Sequence, residues 1–358
     1  MAQKPKRVVI KIGTRVLIEK SGELNVARMD AIVADVAKLI ESGIEVAIVS
    51  SGAVGLGMGR LSLASKPKKL SAKQKCAAVG QGILIQKWEE SFARYNLPVA
   101  QLLLTREDVD NHHRHCALKE VIDEILSDKI VPVINENDPI SASELNVKFG
   151  DNDILSALIA SLVKADVLLI LSTAGGLIDM RGTNEIVKEV DKVDDKVKAM
   201  ANTSTSVGGT GGMVTKLRAA EIATKSACKA YIASGDIKNV VSRTILDGEN
   251  LGTYFKPCKG SPVSKKRWFA HFGKSMGRLF VDEGAANALK NRGASLLAAG
   301  VVDVAGNFKA GDLVDIVLSG TSALVARGLA SYDAKEIMKS KSTSTSEVAV
   351  HRDNLALL

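Results

Sequence analysis

Lys11 stands near the end of an apolar run, Arg7-Val8-Val9-Ile10-Lys11-Ile12, and Gly13 follows directly. Burying an unpaired ammonium costs on the order of several kcal/mol, so a lysine inside such a strand implies that its head reaches a polar or anionic site. A glycine just beyond allows a ligand to approach the backbone closely. A second apolar run ends Val49-Ser50-Ser51 and opens into a loop with glycines at 52, 55, 57 and 59. That spacing is not G-x-G-x-x-G, which excludes the dinucleotide fingerprint. The loop is then either a ligand-approach loop or a plain tight turn.

Two clusters of Asn and Asp come next: Asn135-Glu136-Asn137-Asp138-Pro139 and Gly150-Asp151-Asn152-Asp153. Such residues commonly serve as caps and turns. Both clusters fall beside the crevice where a parallel sheet binds ligands, which points to function. Further on, residues 202–212 are rich in Ser, Thr and Gly, and Thr210-Gly211-Gly212-Met213-Val214-Thr215-Lys216 leads from them into a helical pattern. Composition reads this stretch as a linker. Placement reads it as an anion site, built from backbone N–H groups at a helix N-terminus with Lys216 in the first turn.

Two other patterns carry no such chemistry. Gly273-Lys274-Ser275 resembles the end of a phosphate-binding P-loop, but Trp268 occupies the position of its first glycine. His112, His113, His115 and Cys116 form a helical cluster in which His112 and Cys116 share a face. A zinc site needs further ligands in a closed geometry, so no metal site is assigned.

The elements that must position these residues alternate. Arg7–Ile12, 44–50, 97–104, 130–134 and 165–171 read as buried strands. Helical patterns lie between them, at about 25–42, 72–95, 109–126, 153–164 and 213–228, with Asn25 as a capping residue and Gly43 as a left-handed stop. Alternation of this kind predicts an α/β fold, a mostly parallel sheet with helices on both faces, whose ligands sit outside the carboxyl ends of the strands. A seam rich in Pro, Gly and Lys follows Phe255 and ends at Lys265-Lys266-Arg267. Beyond it, short alternating segments at 278–281, 300–304, 313–317 and 323–326 surround one helix, 283–292, and predict a small β-rich barrel. Domains are therefore expected at 1–258 and 265–358. The Lys/Ser/Thr stretch 339–346 is expected to be a mobile loop.

A length of 358 residues favours two domains over one. Hydrophobic residues at 46% and charged residues at 25% argue against disorder, and aromatics at 4% leave little for base stacking. Cys76, Cys116, Cys228 and Cys258 are scattered without a C-x-x-C pair, the usage of a reducing compartment. The basic start lacks the unbroken apolar core of a signal peptide, and no run is long enough to span a bilayer. A cytoplasmic protein is expected. The net charge of +8 is shared equally, with 35 Lys+Arg against 31 Asp+Glu in residues 1–260 and 13 against 9 in 261–358. The excess per residue is thus higher in the tail, which hints at an anionic partner there; a modestly basic soluble surface is the plainer reading.

Taken in order, Val9-Ile10-Lys11-Ile12-Gly13-Thr14, Ser51-Gly52-Ala53, Val133-Ile134-Asn135-Glu136-Asn137-Asp138, Gly150-Asp151-Asn152-Asp153 and Thr210-Gly211-Gly212-Met213 resemble the glutamate 5-kinases of the amino acid kinase family. The tail resembles a PUA domain through Val281-Asp282-Glu283-Gly284-Ala285, Gly306-Asn307-Phe308 and Val350-His351-Arg352-Asp353. The resemblance covers essentially the whole chain. It implies the three-layer amino acid kinase fold and phosphorylation of glutamate by ATP with Mg2+. It assigns Lys11 and Lys216 to charge neutralisation on the transferring phosphoryl group and Asp153 to holding the two lysines. Ser51, Asp138 and Asn152 would bind glutamate, and backbone amides near Gly13 and Gly52 would face phosphate oxygens. Lys11, Gly13, Ser172, Thr173 and the run from Thr210 through Gly211, Gly212, Met213, Val214 and Thr215 to Lys216 would bind ATP. One departure falls on the nucleotide side. Where the family usually has Thr-Asp and a later Asp-Pro-Arg turn, this chain has Ser172-Thr173-Ala174-Gly175-Gly176 and Asp179-Met180-Arg181. The resemblance further implies a homo-oligomer (dimer or tetramer), feedback inhibition by proline and RNA as a possible partner of the tail. The rival readings are a family kinase acting on acetylglutamate, aspartate or carbamate, and an RNA-binding module.

Overall fold

The computed structural model describes residues 4–19, 21–140, 152–179, 182–201, 212–258, 275–321, 323–343 and 347–357. The chain divides into two compact units, residues 1–108 with 114–261, and residues 262–358 with 109–113.

In the first stretch the elements run β1 (Arg7–Ile12), α1 (Thr14–Leu17), α2 (Val26–Glu41), β2 (Glu45–Ser50), α3 (Ala53–Arg60), α4 (Leu70–Ala93), β3 (Val99–Leu104), α5 (Arg106–Asp110), α6 (His112–Ser127) and β4 (Val131–Glu136). They continue as α7 (Asn152–Leu162), β5 (Val167–Ser172), β6 (Glu189–Val190), α8 (Asp195–Ala201), α9 (Met213–Lys225), β7 (Lys229–Ser234), α10 (Val240–Ile245) and β8 (Gly252–Phe255). One eight-stranded sheet results, in the order β3-β4-β2-β1-β5-β7-β8-β6. Every pairing in it is parallel except β7 with β8.

Strand periodicity divides β1 between two layers. Val8, Ile10 and Ile12 enter a core built with residues of α2, α4 and α10, while Val9 and Lys11 face the opposite side. There α7 packs on β1, β2, β4 and β5, and α9 packs on α7. A helix covered by a sheet on one side and another helix on the other has little solvent face, so every residue from Asp153 to Leu162 is buried. Local signals set the ends of α2. The Asn25 side chain accepts from the Arg28 amide at 2.9 Å, and Gly43 adopts φ +79° just past the last turn.

The second unit runs β9 (Gly277–Val281), α11 (Glu283–Arg292), β10 (Leu296–Leu297), β11 (Val301–Gly306), β12 (Leu313–Leu318), β13 (Leu324–Leu329), α12 (Ala334–Thr343), β14 (Val348–Val350) and β15 (Leu355–Leu357). Its strands form a five-stranded sheet, β11-β9-β12-β13-β15, and a β10-β14 ribbon, around a core that includes Leu279, Val281, Phe308, Ile316 and Ile337. The expected loop over 339–346 is corrected in part. Residues 339–343 complete α12, because Ala334 and Ile337 are buried in this core and anchor the helix against the weak propensity of its Ser/Thr end. Residues 344–346 lie outside the described residues. Among the described residues no helix is long and apolar enough to cross a membrane, and the four cysteines are free thiols.

Candidate active site

Parallel strands bring Ile12, Ser50, Glu136 and Ser172 to one edge of the sheet, and the antiparallel course of α7 returns its first turn to that edge. Lys11 is 4% exposed and Lys216 7%, while Asp153 is fully buried. Lys11 Nζ lies 2.7 Å from Asp153 Oδ1, and Lys216 Nζ lies 3.0 Å from Asp153 Oδ2. Thr215 Oγ1 is within hydrogen-bond reach of the same Oδ2, at 3.1 Å, and of the Gly212 carbonyl, at 2.9 Å. Burial pushes the Asp153 carboxyl up, but the Lys11 and Lys216 ammoniums beside it outweigh that effect and hold it below the ordinary carboxylate range. One carboxylate between two ammoniums leaves the trio with a net positive charge. In a site of low polarity that charge suits an anion.

Gly13 supplies room in front of Lys11. A Cβ there would lie 3.2 Å from the Leu171 carbonyl oxygen and 3.7 Å from Lys11 Nζ. Its own N–H donates to that carbonyl at 3.0 Å, so any amide near Gly13 that faces a ligand belongs to a neighbour. Gly52 opens α3 at φ +116°, a left-handed conformation that favours glycine.

On the β2–β4 side, the Asn152 amide nitrogen meets three acceptors: the Ser50 carbonyl at 3.1 Å, Ser51 Oγ at 3.0 Å and Asn135 Oδ1 at 2.9 Å. Ser51, Asn152, Lys11, Asp153 and Lys216 are thus brought together, the first pair adjoining the trio through consecutive residues of α7. Asp138 lies half-buried in the turn over 137–140, just past β4. Ser172 ends β5 with its hydroxyl turned back on Ala174, bonded to the carbonyl at 3.1 Å and the amide at 3.0 Å, and Thr173 is exposed. Gly212 is the N-cap of α9 and Val214 is 52% exposed, while Met213 is half-buried. Thr210 and Gly211 lie outside the described residues, as do Gly150, Asp151, Met180 and Arg181.

Asn135, Gln81 and Trp88 belong to the same polar cluster and were not singled out as site residues from sequence. Asn135 Nδ2 donates to Gln81 Oε1 at 2.8 Å, and Trp88 Nε1 donates to Ser50 Oγ at 3.1 Å. Asn135 stood inside a noted motif. Gln81 had one available signal, a lone amide on the otherwise apolar stripe Ala77, Leu84, Trp88 and Phe92 of α4.

Comparison with known proteins bears on the same residues. Residues 6–234 match the amino acid kinase family and residues 277–352 the PUA domain. The chain is 41% identical to the glutamate 5-kinase of Thermoanaerobacter sp. (strain X514), covering 98% of each chain. It is 42% identical to the glutamate 5-kinase of Myxococcus xanthus (strain DK1622), covering 99% of this chain and 96% of that one. Among solved structures, a carbamate kinase from Giardia lamblia bound to AMP-PNP shares the fold, with a TM-score of 0.50 and 18% identity over 72% of this chain and 100% of that one. Matched over most of its length by one family model and nearly end to end by these relatives, the chain belongs to the amino acid kinase family, among the glutamate 5-kinases, and carries a PUA domain at residues 277–352.

Proposed function

We propose that the chain transfers the γ-phosphoryl group of ATP to the γ-carboxylate of L-glutamate, forming L-glutamyl 5-phosphate and ADP in the first step of proline biosynthesis. The buried Lys11–Asp153–Lys216 trio, with its net positive charge, is the observation that carries this reading. A γ-carboxylate oxygen of glutamate attacks phosphorus, the bond from phosphorus to the β,γ-bridging oxygen breaks, and that oxygen leaves with ADP. No general base is needed, because the attacking carboxylate is already ionised at neutral pH. Phosphoryl transfer of this kind depends on positioning and on neutralising spread charge. Lys11 and Lys216 supply that charge, and Asp153 holds both.

Ser51, Asp138 and Asn152 bind the amino acid, with the Asp138 carboxylate as partner of its α-ammonium group. The nucleotide lies along Gly13, Ser172, Thr173 and the residues leading from Thr210 into α9. Both oxygens of Asp153 already face lysines, so magnesium would come with ATP and supply further counter-charge for its phosphates rather than be held by this carboxylate. Catalysis resides in residues 1–258, and residues 265–358 modulate it. RNA binding by the basic tail, feedback by proline and assembly into dimers or tetramers belong to the same reading. The test is formation of acyl phosphate, trapped as hydroxamate, across a panel of amino acids. Turnover of glutamate is expected; turnover of aspartate or acetylglutamate with none of glutamate overturns the reading.

A further inference from the structure

A side-chain amide can turn end for end with little change of shape, exchanging a donor for an acceptor. At Asn135 and Asn152 the backbone removes that freedom. The Glu136 N–H can only donate, and it bonds Asn135 Oδ1 at 2.9 Å. The Asn135 nitrogen must then point the other way, where Gln81 Oε1 receives it at 2.8 Å. The Ser50 carbonyl can only accept, so the Asn152 nitrogen faces it at 3.1 Å, and the same nitrogen meets Asn135 Oδ1 at 2.9 Å. Asn152 Oδ1 is thereby the end turned away from these partners. It is buried and accepts no hydrogen bond among the described residues. An acceptor kept in that condition suits a donor brought by a ligand, and an amino acid brings an ammonium.

Gln81 is the far end of this chain of amides. It is 7% exposed, and its Nε2 likewise lacks a partner among the described residues. A buried glutamine bonded at one end only is a poor device for stability, since the unbonded half costs free energy. Its place is nevertheless fixed closely. A Cβ on the preceding residue, Gly80, would lie 1.8 Å from the Ala53 carbonyl oxygen, so α4 meets α3 backbone to backbone just where Ser51-Gly52-Ala53 enters the site. Seven residues on, the same helix face delivers Trp88 Nε1 to Ser50 Oγ.

We infer that Gln81 is a positioning residue for the amino-acid substrate: through Asn135 it holds Asn152 with Oδ1 toward the ligand, and so sets the KM for glutamate. The inference rests on the reaction proposed above. In the full-length enzyme, Gln81→Met keeps the shape and removes the acceptor. One lost hydrogen bond corresponds to a rise of about tenfold in the KM for glutamate, with the KM for ATP and kcat changed by less than about twofold. Gln81→Asn, which withdraws the amide by one methylene, is expected to do the same and serves if the methionine variant does not fold. Gln81→Glu, which retains an acceptor oxygen at full reach, is expected to stay within about threefold of the parent KM. Because Gln81 acts through Asn152, adding Gln81→Met to Asn152→Ala is expected to change the KM no further. An unchanged KM for glutamate, equal losses toward both substrates, or effects that multiply in the double variant would overturn the inference. A parent enzyme inactive on glutamate would instead overturn the reaction on which it rests.

Discussion

Lys216 Nζ lies 3.0 Å from Asp153 Oδ2, although the two residues are 63 positions apart and enter from the first turns of different helices. The contact joins α9 to α7 at the sheet edge where Lys11 arrives from β1. If the trio neutralises the phosphoryl group in flight, each lysine is a donor aimed at charge that grows in the transition state. Such donors are typically worth about 10²–10³ in kcat. Lys11→Ala and Lys216→Ala are each expected to lose about that factor while remaining folded. Single-turnover rates with circular dichroism of both variants check this; a loss of less than tenfold at Lys216 would favour the reading of the 210–213 run as a linker over its reading as an anion site.

Asp153 couples the same contact to stability. Its carboxyl titrates below the ordinary range in the folded protein, so the native state binds fewer protons there than the unfolded chain does. The contribution to stability is therefore complete above the unfolded value, near pH ~4, and is lost as pH falls through the lower native value. Asp153→Asn leaves two buried ammoniums without their counter-charge and is expected to cost about 3 kcal/mol at neutral pH. It should also flatten the loss of stability below about pH 4. Denaturant midpoints of both proteins between neutral and acid pH measure the two effects, and parallel acid limbs would show that Asp153 is not their source.

What was legible in the sequence follows the range of the forces involved. Asn25 and Gly43 act on neighbours within a few residues, and both ends of α2 are where those residues predict. Lys11 was conspicuous because an ammonium inside β1 has to reach something polar. Its partner was not deducible from spacing, since Asp153 lies 142 positions away, and only the likeness to a known family paired them. The strands β7 and β8 went unread: β8 is four residues long, and β7 follows α9 after only three residues. For Gln81 the one signal, a lone amide on an apolar stripe, is weak for another reason. On a helix its polarity reads as a solvent face until Ala77, Leu84 and Trp88 around it are known to be buried.

Asp138 separates recognition of the amino acid from recognition of ATP. It sits half-buried in the turn just beyond β4, the strand that presents Asn135. If its carboxylate pairs with the α-ammonium of glutamate, Asp138→Ala removes a charged hydrogen-bond partner. The expected result is a rise of about tenfold or more in the KM for glutamate with little change for ATP. Initial rates over a grid of both substrates decide the matter, and an equal effect on both would displace Asp138 from the ammonium.

The PUA domain offers the last prediction. Its core, with Leu279, Val281, Phe308, Ile316 and Ile337, is a cluster of its own, and none of the proposed catalytic or binding residues lies beyond Lys216. A chain cut after about Gly260 keeps the whole eight-stranded sheet and the Lys11–Asp153–Lys216 trio. It is expected to fold and to phosphorylate glutamate at saturating substrates, with any change falling on assembly or on inhibition by proline. RNA retention should be lost in the same truncation and, in the full chain, should weaken steeply between low and high salt, because contacts made by Lys and Arg to phosphates release counterions. A well-folded truncation without activity would show that the tail takes part in catalysis. Tight, salt-insensitive retention of RNA by the truncated chain would move that binding away from the tail altogether.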